Sequence, residues 1–288
     1  MARAVLRAAA TLARALPGPA RLALYHLGPL TDLLRGLLNR AAPVGVHPVR
    51  VAAGELAGMW LPLDLQVDKD LWLGTYEPQL AVAIARFVRA SSVAYDLGAN
   101  VGYAALLLAR AVGPAGRVVA FEPLPSNLER LRRAISLNGL DPQIDVVPAA
   151  VGERSGVGSF LVHASGGMGR LEDGAGRTDG FVSNITVDVV GLDDFVFRRA
   201  NASPSLVKID LEGGEGQALR GMTRLLNEGR PVLLVELHGS RAANEVIHFL
   251  GEAGYTTHAM RAGYPEVGSA AAEKGIKHIV ALPRETSP

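Results

Sequence analysis

The chain has 288 residues, of which 29 are basic and 28 acidic, and its formal net charge at neutral pH is +1. That length suits one large domain with appendages or two small domains, and so small a charge gives no global electrostatic reason to expect a nucleic-acid partner. The absence of cysteine excludes a disulfide framework, a thiolate metal site and a cysteine nucleophile. No apolar run approaches the roughly 18 residues that span a bilayer.

The N-terminal segment is basic and amphipathic. A helix over residues 1–16 places Arg3, Arg7 and Arg14 on one face, and Pro17 ends it. We interpret it as an accessory helix that packs on the main domain, with contact to a membrane surface as the alternative. A transit peptide is disfavoured because no serine occurs in this region.

We predict a helical and irregular extension over residues 1–60 and a main domain over residues 61–288. Arginine greatly outnumbers lysine, and alanine and glycine are abundant, which suggests a bacterial coding bias. We therefore expect a bacterial cytoplasmic protein, with membrane association through the basic helix as the alternative.

The most informative segment is a short apolar strand that ends at Asp96 and is followed by Gly98 and Gly102. An Ala/Leu-rich helix then covers residues 103–111. Turn glycines let backbone amides approach a ligand, and a helix N-terminus favours negative charge, so this segment predicts a carboxylate- or phosphate-binding loop. Its spacing differs from the Gly-x-Gly-x-x-Gly of dinucleotide folds. It resembles motif I of the class I methyltransferases, which bind S-adenosylmethionine (SAM).

A second apolar strand ends at Glu122. An ionised carboxylate only accepts hydrogen bonds, so Glu122 suits the two hydroxyls of a ribose; the alternative is a glutamate that merely caps the next helix. Ser126 and Glu129 predict a capping box, and residues 138–139 predict the end of that helix.

The rest of the chain predicts an α/β fold: a doubly wound, mostly parallel seven-stranded sheet with flanking helices. Further strands are expected over residues 144–151, 157–163, 185–190, 206–210, 231–237, 255–260 and 278–282, the last two as an antiparallel pair at one edge. Small residues near Ala150 would let an adenine ring lie against the backbone. Residues 153–204 form an insertion with a long glycine-rich segment, which we interpret as a lid over the acceptor substrate. A final helix is expected from Ser240, as its cap, to Ala253.

Several motifs together resemble the FkbM-type methyltransferases. They are the runs from Lys208 to Glu215 and from Pro231 to His238, with shorter matches at residues 74–77, 96–103 and 121–123. The resemblance implies a Rossmann-like fold and SAM-dependent methylation of a hydroxyl on a sugar, polysaccharide or secondary metabolite. The chain departs from the family pattern at Gly214 and Gly216, where bulkier residues are more usual.

The resemblance also implies roles for individual residues. The cofactor-binding set is Asp96 facing the methionine ammonium, the backbone of Gly98, Asn100 and Gly102 holding the carboxylate, Glu122 on the ribose, Ala150 near the adenine, Asp210 closing the far side, and Glu77.

Methylation of an alcohol requires a base within hydrogen-bond reach. Glu212, Glu215, Glu236 and His238 are candidates, and His238 is preferred for its ordinary pKa of about 6.5. The alternative for His238 is a bond to a neighbouring carbonyl group. We predict His238, Glu212 and Asp210 as the catalytic residues and no metal, although the last two carboxylates could face the same way and bind a cation.

Other functions stay open at this point. N-methylation on the same scaffold, a nicotinamide-dependent oxidoreductase and a non-catalytic SAM-binding protein are the alternatives to an O-methyltransferase. The expected partner is a small-molecule or glycan acceptor, not a nucleic acid. Neither the acceptor nor the oligomeric state follows from these motifs.

Overall fold

The computed structural model describes residues 2–25, 29–172, 174, 180–268 and 275–284. The helices are α1 Ala2–Ala15, α2 Gly18–Tyr25, α3 Pro29–Ala41, α4 Lys69–Leu73, α5 Pro78–Phe87, α6 Tyr103–Val112, α7 Pro125–Leu137, α8 Glu215–Arg220 and α9 Ser240–Glu252, with π-helical turns at Asp194–Arg198 and Leu225–Gly229. The strands are β1 Val46–Arg50, β2 Trp60–Asp64, β3 Val93–Leu97, β4 Arg117–Phe121, β5 Ile144–Val147, β6 Ala150–Val151, β7 Gly156–His163, β8 Gly169–Leu171, β9 Phe181–Val190, β10 Leu206–Ile209, β11 Val232–Glu236, β12 Tyr255–Ala259 and β13 His278–Pro283.

A seven-stranded sheet in the order β12-β13-β11-β10-β3-β4-β5 forms the centre of the fold. The five strands from β11 to β5 are parallel, whereas β13 runs antiparallel to both β11 and β12. This confirms the predicted doubly wound α/β fold and the antiparallel pair at one edge.

Both faces of this sheet are buried. Along β3 and β4, alternate residues belong to two separate hydrophobic clusters: Ala94 and Val118 pack with α5, α6 and α7, while Tyr95 and Val119 pack with α8 and α9. Successive side chains of a strand point to opposite faces, so each apolar strand contributes to both clusters. Because β3, β4, β10 and β11 are parallel, their carboxyl ends lie at the same end of the sheet.

The strand predicted over residues 144–151 is divided into two strands, β5 and β6. β5 ends at Val147, and β6 leaves the central sheet to pair in parallel with β9. Pro148 lies at the break because proline has no N–H to donate to a continuing ladder.

The predicted insertion folds as a four-stranded sheet in the order β6-β9-β7-β8. The expected strands over 157–163 and 185–190 are present, and each begins earlier than predicted, at Gly156 and Phe181. The expected glycine-rich connection contains the additional short strand β8, which pairs antiparallel with β7. Residues 173 and 175–179 of that connection lie outside the described residues.

Two predicted helix caps are wrong. Helix α7 begins at Pro125 with Leu124 as its N-cap, and α9 has Gly239 as its N-cap. Ser126 and Ser240 therefore lie inside their helices, where the backbone geometry of a cap is lost. Proline is favoured in the first helical turn, which explains the earlier start of α7.

Helix α2 of the N-terminal region was not predicted from the sequence. Pro17 ends α1 as expected, but α2 starts directly afterwards, because Pro19 lies in its first turn where proline is tolerated. Arg14 donates from Nε to the carbonyl oxygen of Ala52 at 3.2 Å, and Leu6 and Ala9 of α1 pack against the hydrophobic cluster between the central sheet and α5–α7. β1 and β2 pair with each other across the predicted boundary at residue 60. Among the described residues, no helix has the length and apolar character of a membrane span.

Candidate functional site

Two cavities adjoin at the carboxyl ends of the central strands. The first, which we call the Glu122 cavity, is lined by Glu122, Asn127, Ala150 and Glu212 among others. The second, the Glu77 cavity, is lined by Tyr76, Glu77, Tyr103 and Lys208 among others. Gly98, Asn100, Gly167, Met168 and Asp210 line both. This is the topological switch region of an α/β sheet, where ligands generally bind.

The loop after β3 is closely packed against β10. At Gly98 the backbone has a φ of +77°, and a Cβ atom there would lie 2.0 Å from the carbonyl oxygen of Asp210. Only glycine tolerates both conditions. Gly98 therefore allows the β3 loop to contact the end of β10 and so to form the wall between the two cavities.

The amides of this loop are already bonded within the protein. Gly98 and Ala99 both donate to the carbonyl oxygen of Phe121. Asn100 donates to Glu122 Oε2 at 2.8 Å, and Gly102 donates to Ala99 at 2.9 Å. In this structure the three amides that were expected to hold a ligand carboxylate each have another acceptor. Gly102 does not line either cavity; its missing side chain admits Leu131 of α7.

Glu122 lies at the end of β4 with 4% of its surface exposed. Its Oε1 accepts a hydrogen bond from the amide of Leu124 at 2.9 Å, while Oε2 accepts that of Asn100. Burial raises the pKa of Glu122 to about 7, although these two hydrogen bonds oppose the shift. The carboxyl group is thus fixed in one orientation, facing the same cavity as Ala150.

Asp96 lies below this surface. Its side chain is fully buried, and Oδ1 is 3.3 Å from Lys208 Nζ. Lys208 also donates to the carbonyl oxygen of Gly98 at 3.0 Å and to Asp210 Oδ2 at 3.3 Å. Although burial acts to lower the pKa of Lys208, the two aspartates raise it well above its usual value. Asp96 lines neither cavity, whereas its partner Lys208 lines the Glu77 cavity.

Lys208 was not predicted from the sequence as a site residue. The sequence nevertheless contained an indication of its role, because a buried lysine in the otherwise apolar β10 has to be paired with an acidic group.

His238 follows β11 and is surrounded by carboxylates. Its Nδ1 is 2.8 Å from Glu215 Oε1. Its Nε2 faces Asp210 Oδ1 at 3.7 Å, Glu212 Oε2 at 3.6 Å and Glu236 Oε1 at 3.7 Å. The bonding partner is a carboxylate, not the carbonyl group that was the expected alternative.

These neighbours change the protonation of His238. Burial acts to lower the pKa of the imidazole, but Glu215, Asp210 and Glu212 raise it to about 9. The neutral, proton-accepting form is therefore the minor one at pH 7 in this structure, and the reason for preferring His238 as the base does not hold here.

Glu215 has no exposed surface and fixes the loop that carries the other acids. Its Oε1 accepts hydrogen bonds from the amides of Leu211 and Gly213 at 3.1 and 3.0 Å, in addition to its contact with His238. Glu215 thus holds this loop in place, and its role as one of the candidate bases stays a prediction.

Glu236 lies between two histidines. While Oε1 faces His238, Oε2 is 3.4 Å from His278 Nε2 at the start of β13. His278 was not predicted, because only the antiparallel pairing of β13 with β11 brings it opposite Glu236. Glu77 lies close to Glu236 and His278. It precedes α5 in a left-handed backbone conformation, and burial raises the pKa of its carboxyl group.

A sequence model of the Methyltransferase FkbM domain matches residues 96–257, which is more than half of the chain. The chain belongs to the FkbM methyltransferase family. The match includes the loop after β3, Glu122, and the ends of β10 and β11, so most of the residues that line the two cavities lie within the FkbM domain.

One curated relative of this FkbM protein is the hexuronic acid methyltransferase AglP of Haloferax volcanii, which is 28% identical over 169 residues. The alignment covers 57% of this chain and 64% of the relative. The chain thus matches somewhat under two thirds of that protein's length.

Solved structures also resemble the FkbM protein. A methyltransferase FkbM from Methylobacillus flagellatus is 16% identical with a TM-score of 0.42, covering 76% of this chain and 53% of the other. A SAM-dependent O-methyltransferase from Thermotoga maritima is 12% identical with a TM-score of 0.45, covering 74% and 67%.

Proposed function

We propose that the protein is a SAM-dependent O-methyltransferase that acts on a hydroxyl group of a sugar or glycan. The observation that carries the proposal is the pair of adjoining cavities with different linings. The Glu122 cavity places the oriented carboxyl group of Glu122 beside small and apolar residues such as Ala149 and Ala150, as a nucleoside requires. The Glu77 cavity is rich in polar groups, as a sugar requires.

The cofactor is proposed to place its ribose against Glu122. The two backbone amides leave lone pairs on both carboxyl oxygens, which can accept from the ribose hydroxyls. The adenine would lie against Ala150 at the start of the second sheet. The methionine end would point towards Asp210 and Glu77, whose carboxylates favour the cationic ammonium and sulfonium groups.

The reaction is an in-line displacement. A lone pair of the acceptor oxygen forms a bond to the methyl carbon, the carbon–sulfur bond breaks, and S-adenosylhomocysteine leaves with that electron pair. The hydroxyl proton passes to a base. We assign this base to Glu212, because its carboxylate faces His238 Nε2 together with that of Asp210, at the junction of the two cavities, and is the most exposed of the three carboxylates there. Asp210, which lines both cavities, would position the reacting groups.

The curated relative supports the proposed acceptor class. AglP is a hexuronic acid methyltransferase, and a uronic acid offers the hydroxyls that the reaction needs. N-methylation is the alternative that one observation favours, since the carboxylates near His238 would also bind a cationic amine. Contact with a membrane through α1 stays a prediction.

A labelling experiment tests the proposed reaction. The full chain is incubated with methyl-labelled SAM and either a uronic-acid-containing oligosaccharide or an amino sugar, and the products are analysed. We expect label in a methyl ether, which resists mild base. Label only in a base-labile methyl ester or in an N-methyl group would contradict the proposal.

A substitution tests the role of the acidic cluster. His238→Ala is expected to lower turnover strongly and to leave SAM binding intact, because Nε2 lies 3.6 Å from the proposed base Glu212 and 3.7 Å from Asp210, while His238 does not line the Glu122 cavity. Retained turnover in His238→Ala would remove His238 from the catalytic set.

A further inference from the structure

The residues at the ends of β10 and β11 combine oxygen and nitrogen ligands. Asp210, Glu236 and His238 each offer one ligand atom, and these three atoms all lie within 4.8 Å of one another. We propose that they form a binding site for one divalent cation of the Mg²⁺ or Mn²⁺ class. The sequence led us to predict no metal, and among possible cation ligands only the pair Asp210 and Glu212 was considered there.

The distances fit an ion between the ligands. Nε2 of His238 is 3.7 Å from Asp210 Oδ1 and 3.7 Å from Glu236 Oε1, which is beyond hydrogen-bonding distance. In an octahedral site with bonds of about 2.1 Å, neighbouring ligands are about 3 Å apart and opposite ligands about 4 Å apart. The observed separations lie between these values, so small side-chain movements would complete the site.

The orientation of His238 is an independent observation that points to a cation. Histidines that bind metals usually donate their other ring N–H to a carboxylate, which fixes the tautomer and directs the free nitrogen. Glu215 takes that part here: it is completely buried, is held by two backbone amides and lies 2.8 Å from Nδ1. Nε2 is thereby directed at the carboxylates, where an ion would take the place of its proton.

Glu236 is oriented in a similar way. Its Oε2 is 3.4 Å from His278 Nε2, which leaves Oε1 for the proposed ion. Glu77, Glu236 and His278 form a second group of three within the same distance limit. We assign the ion to the first group, because only there does a buried carboxylate fix the histidine and only there does a ligand, Asp210, line both cavities.

The charge of the cluster also favours a cation. Glu212 Oε2 is 3.6 Å from the same Nε2 and adds a further carboxylate beside the three ligands. Lys208 contributes one positive charge that is shared between Asp96 and Asp210. A divalent ion would balance this excess and give the ligands a common partner.

The consequence for the reaction rests on the proposed function. An ion at Asp210 could bind the acceptor hydroxyl and stabilise the negative charge that develops on its oxygen. Glu212, next to the ion, could then accept the proton. Ion binding itself needs neither cofactor nor acceptor.

The experiment is a Mn²⁺ titration of the full chain, stripped with EDTA and desalted, and followed by electron paramagnetic resonance of free Mn²⁺. We expect one ion to bind per chain. Glu236→Gln and Asp210→Asn should weaken this binding by at least about tenfold, and Glu215→Gln by about 10- to 100-fold through the loss of histidine orientation. Asp145→Asn, which alters an exposed pair with Arg117, is the control and should bind as the wild type does.

Thermal unfolding without metal shows which variants are folded. Folded wild-type protein that leaves the signal of free Mn²⁺ unchanged would overturn the proposal. So would folded site variants that bind as tightly as the control. Intact Mn²⁺ binding without any methyl transfer would count against the proposed reaction and not against the cation site.

Discussion

At the scale of single residues, the site depends on the buried carboxyl groups of Asp96 and Glu122 and on the absence of a side chain at Gly98. Asp96, Glu122 and Gly98 could all be selected from the sequence because each ends a strand or begins a turn. Their contacts could not, since these depend on the neighbouring strands. Lys208 contacts Asp96 only because β10 lies beside β3, and this pairing joins segments more than 100 residues apart.

Gly98→Ala tests the close contact between the β3 loop and β10. We expect the unfolding free energy to fall by more than the roughly 1–2 kcal/mol that a left-handed alanine costs, because Cβ would collide with Asp210. Gly139→Ala is the control, since its φ is +66° and a Cβ atom there would have nothing within 4 Å. Equal losses in the two variants, measured by urea unfolding, would show that the contact does not constrain the loop.

Glu122→Gln tests the buried carboxyl group. The pKa of Glu122 is raised from 4.5 to about 7, so the folded protein binds a proton more tightly than the unfolded chain does. This group therefore makes the wild type lose stability as the pH rises from about 4.5 to about 7, with no further loss above that range.

The measurement is urea unfolding of the cofactor-free protein at pH 5 and pH 8. We expect the loss between these values to be smaller in Glu122→Gln than in wild type, whereas Glu129→Gln on the exposed side of α7 should behave as wild type. A Glu122→Gln variant with the pH profile of the wild type would refute the raised pKa.

At the scale of elements, the central strands were easier to predict than the helix caps and the point where β6 leaves the central sheet. Continuous apolar runs identified β3, β4, β10 and β11, since strands that are buried on both faces have no polar alternation. The two serine caps were wrong because proline and glycine nearby set the helix starts. The departure of β6 from the central sheet depends on its pairing with β9, which lies about 40 residues further along the chain.

Leu106→Ala tests the packing of α6 on the sheet. Leu106 is fully buried in the cluster between the sheet and α5–α7, so its truncation should cost about 2–5 kcal/mol of unfolding free energy. Leu137→Ala in α7, where 39% of the residue is exposed, should cost much less. Similar losses of unfolding free energy in both variants, measured by urea unfolding, would contradict the packing of Leu106 in this cluster.

At the scale of the whole molecule, the doubly wound sheet brings together groups that are far apart in the sequence. Glu77, Glu122, Asp210 and His238 come from four separate segments, and the strand order places them at one edge. The sequence identified these residues, and Glu215 as a candidate base, but not His278, which only the pairing of β13 with β11 brings to the site. The N-terminal helices were only partly predicted, because proline marks both the end of α1 and the first turn of α2.

Calorimetric titration of the full chain with SAM tests the central claim most directly. We expect SAM and S-adenosylhomocysteine to bind with micromolar affinity, NAD not to bind, and Glu122→Ala to lose binding while Glu129→Ala retains it. Folded protein that binds neither SAM nor S-adenosylhomocysteine would contradict the account, as would a Glu122→Ala variant that binds SAM as the wild type does.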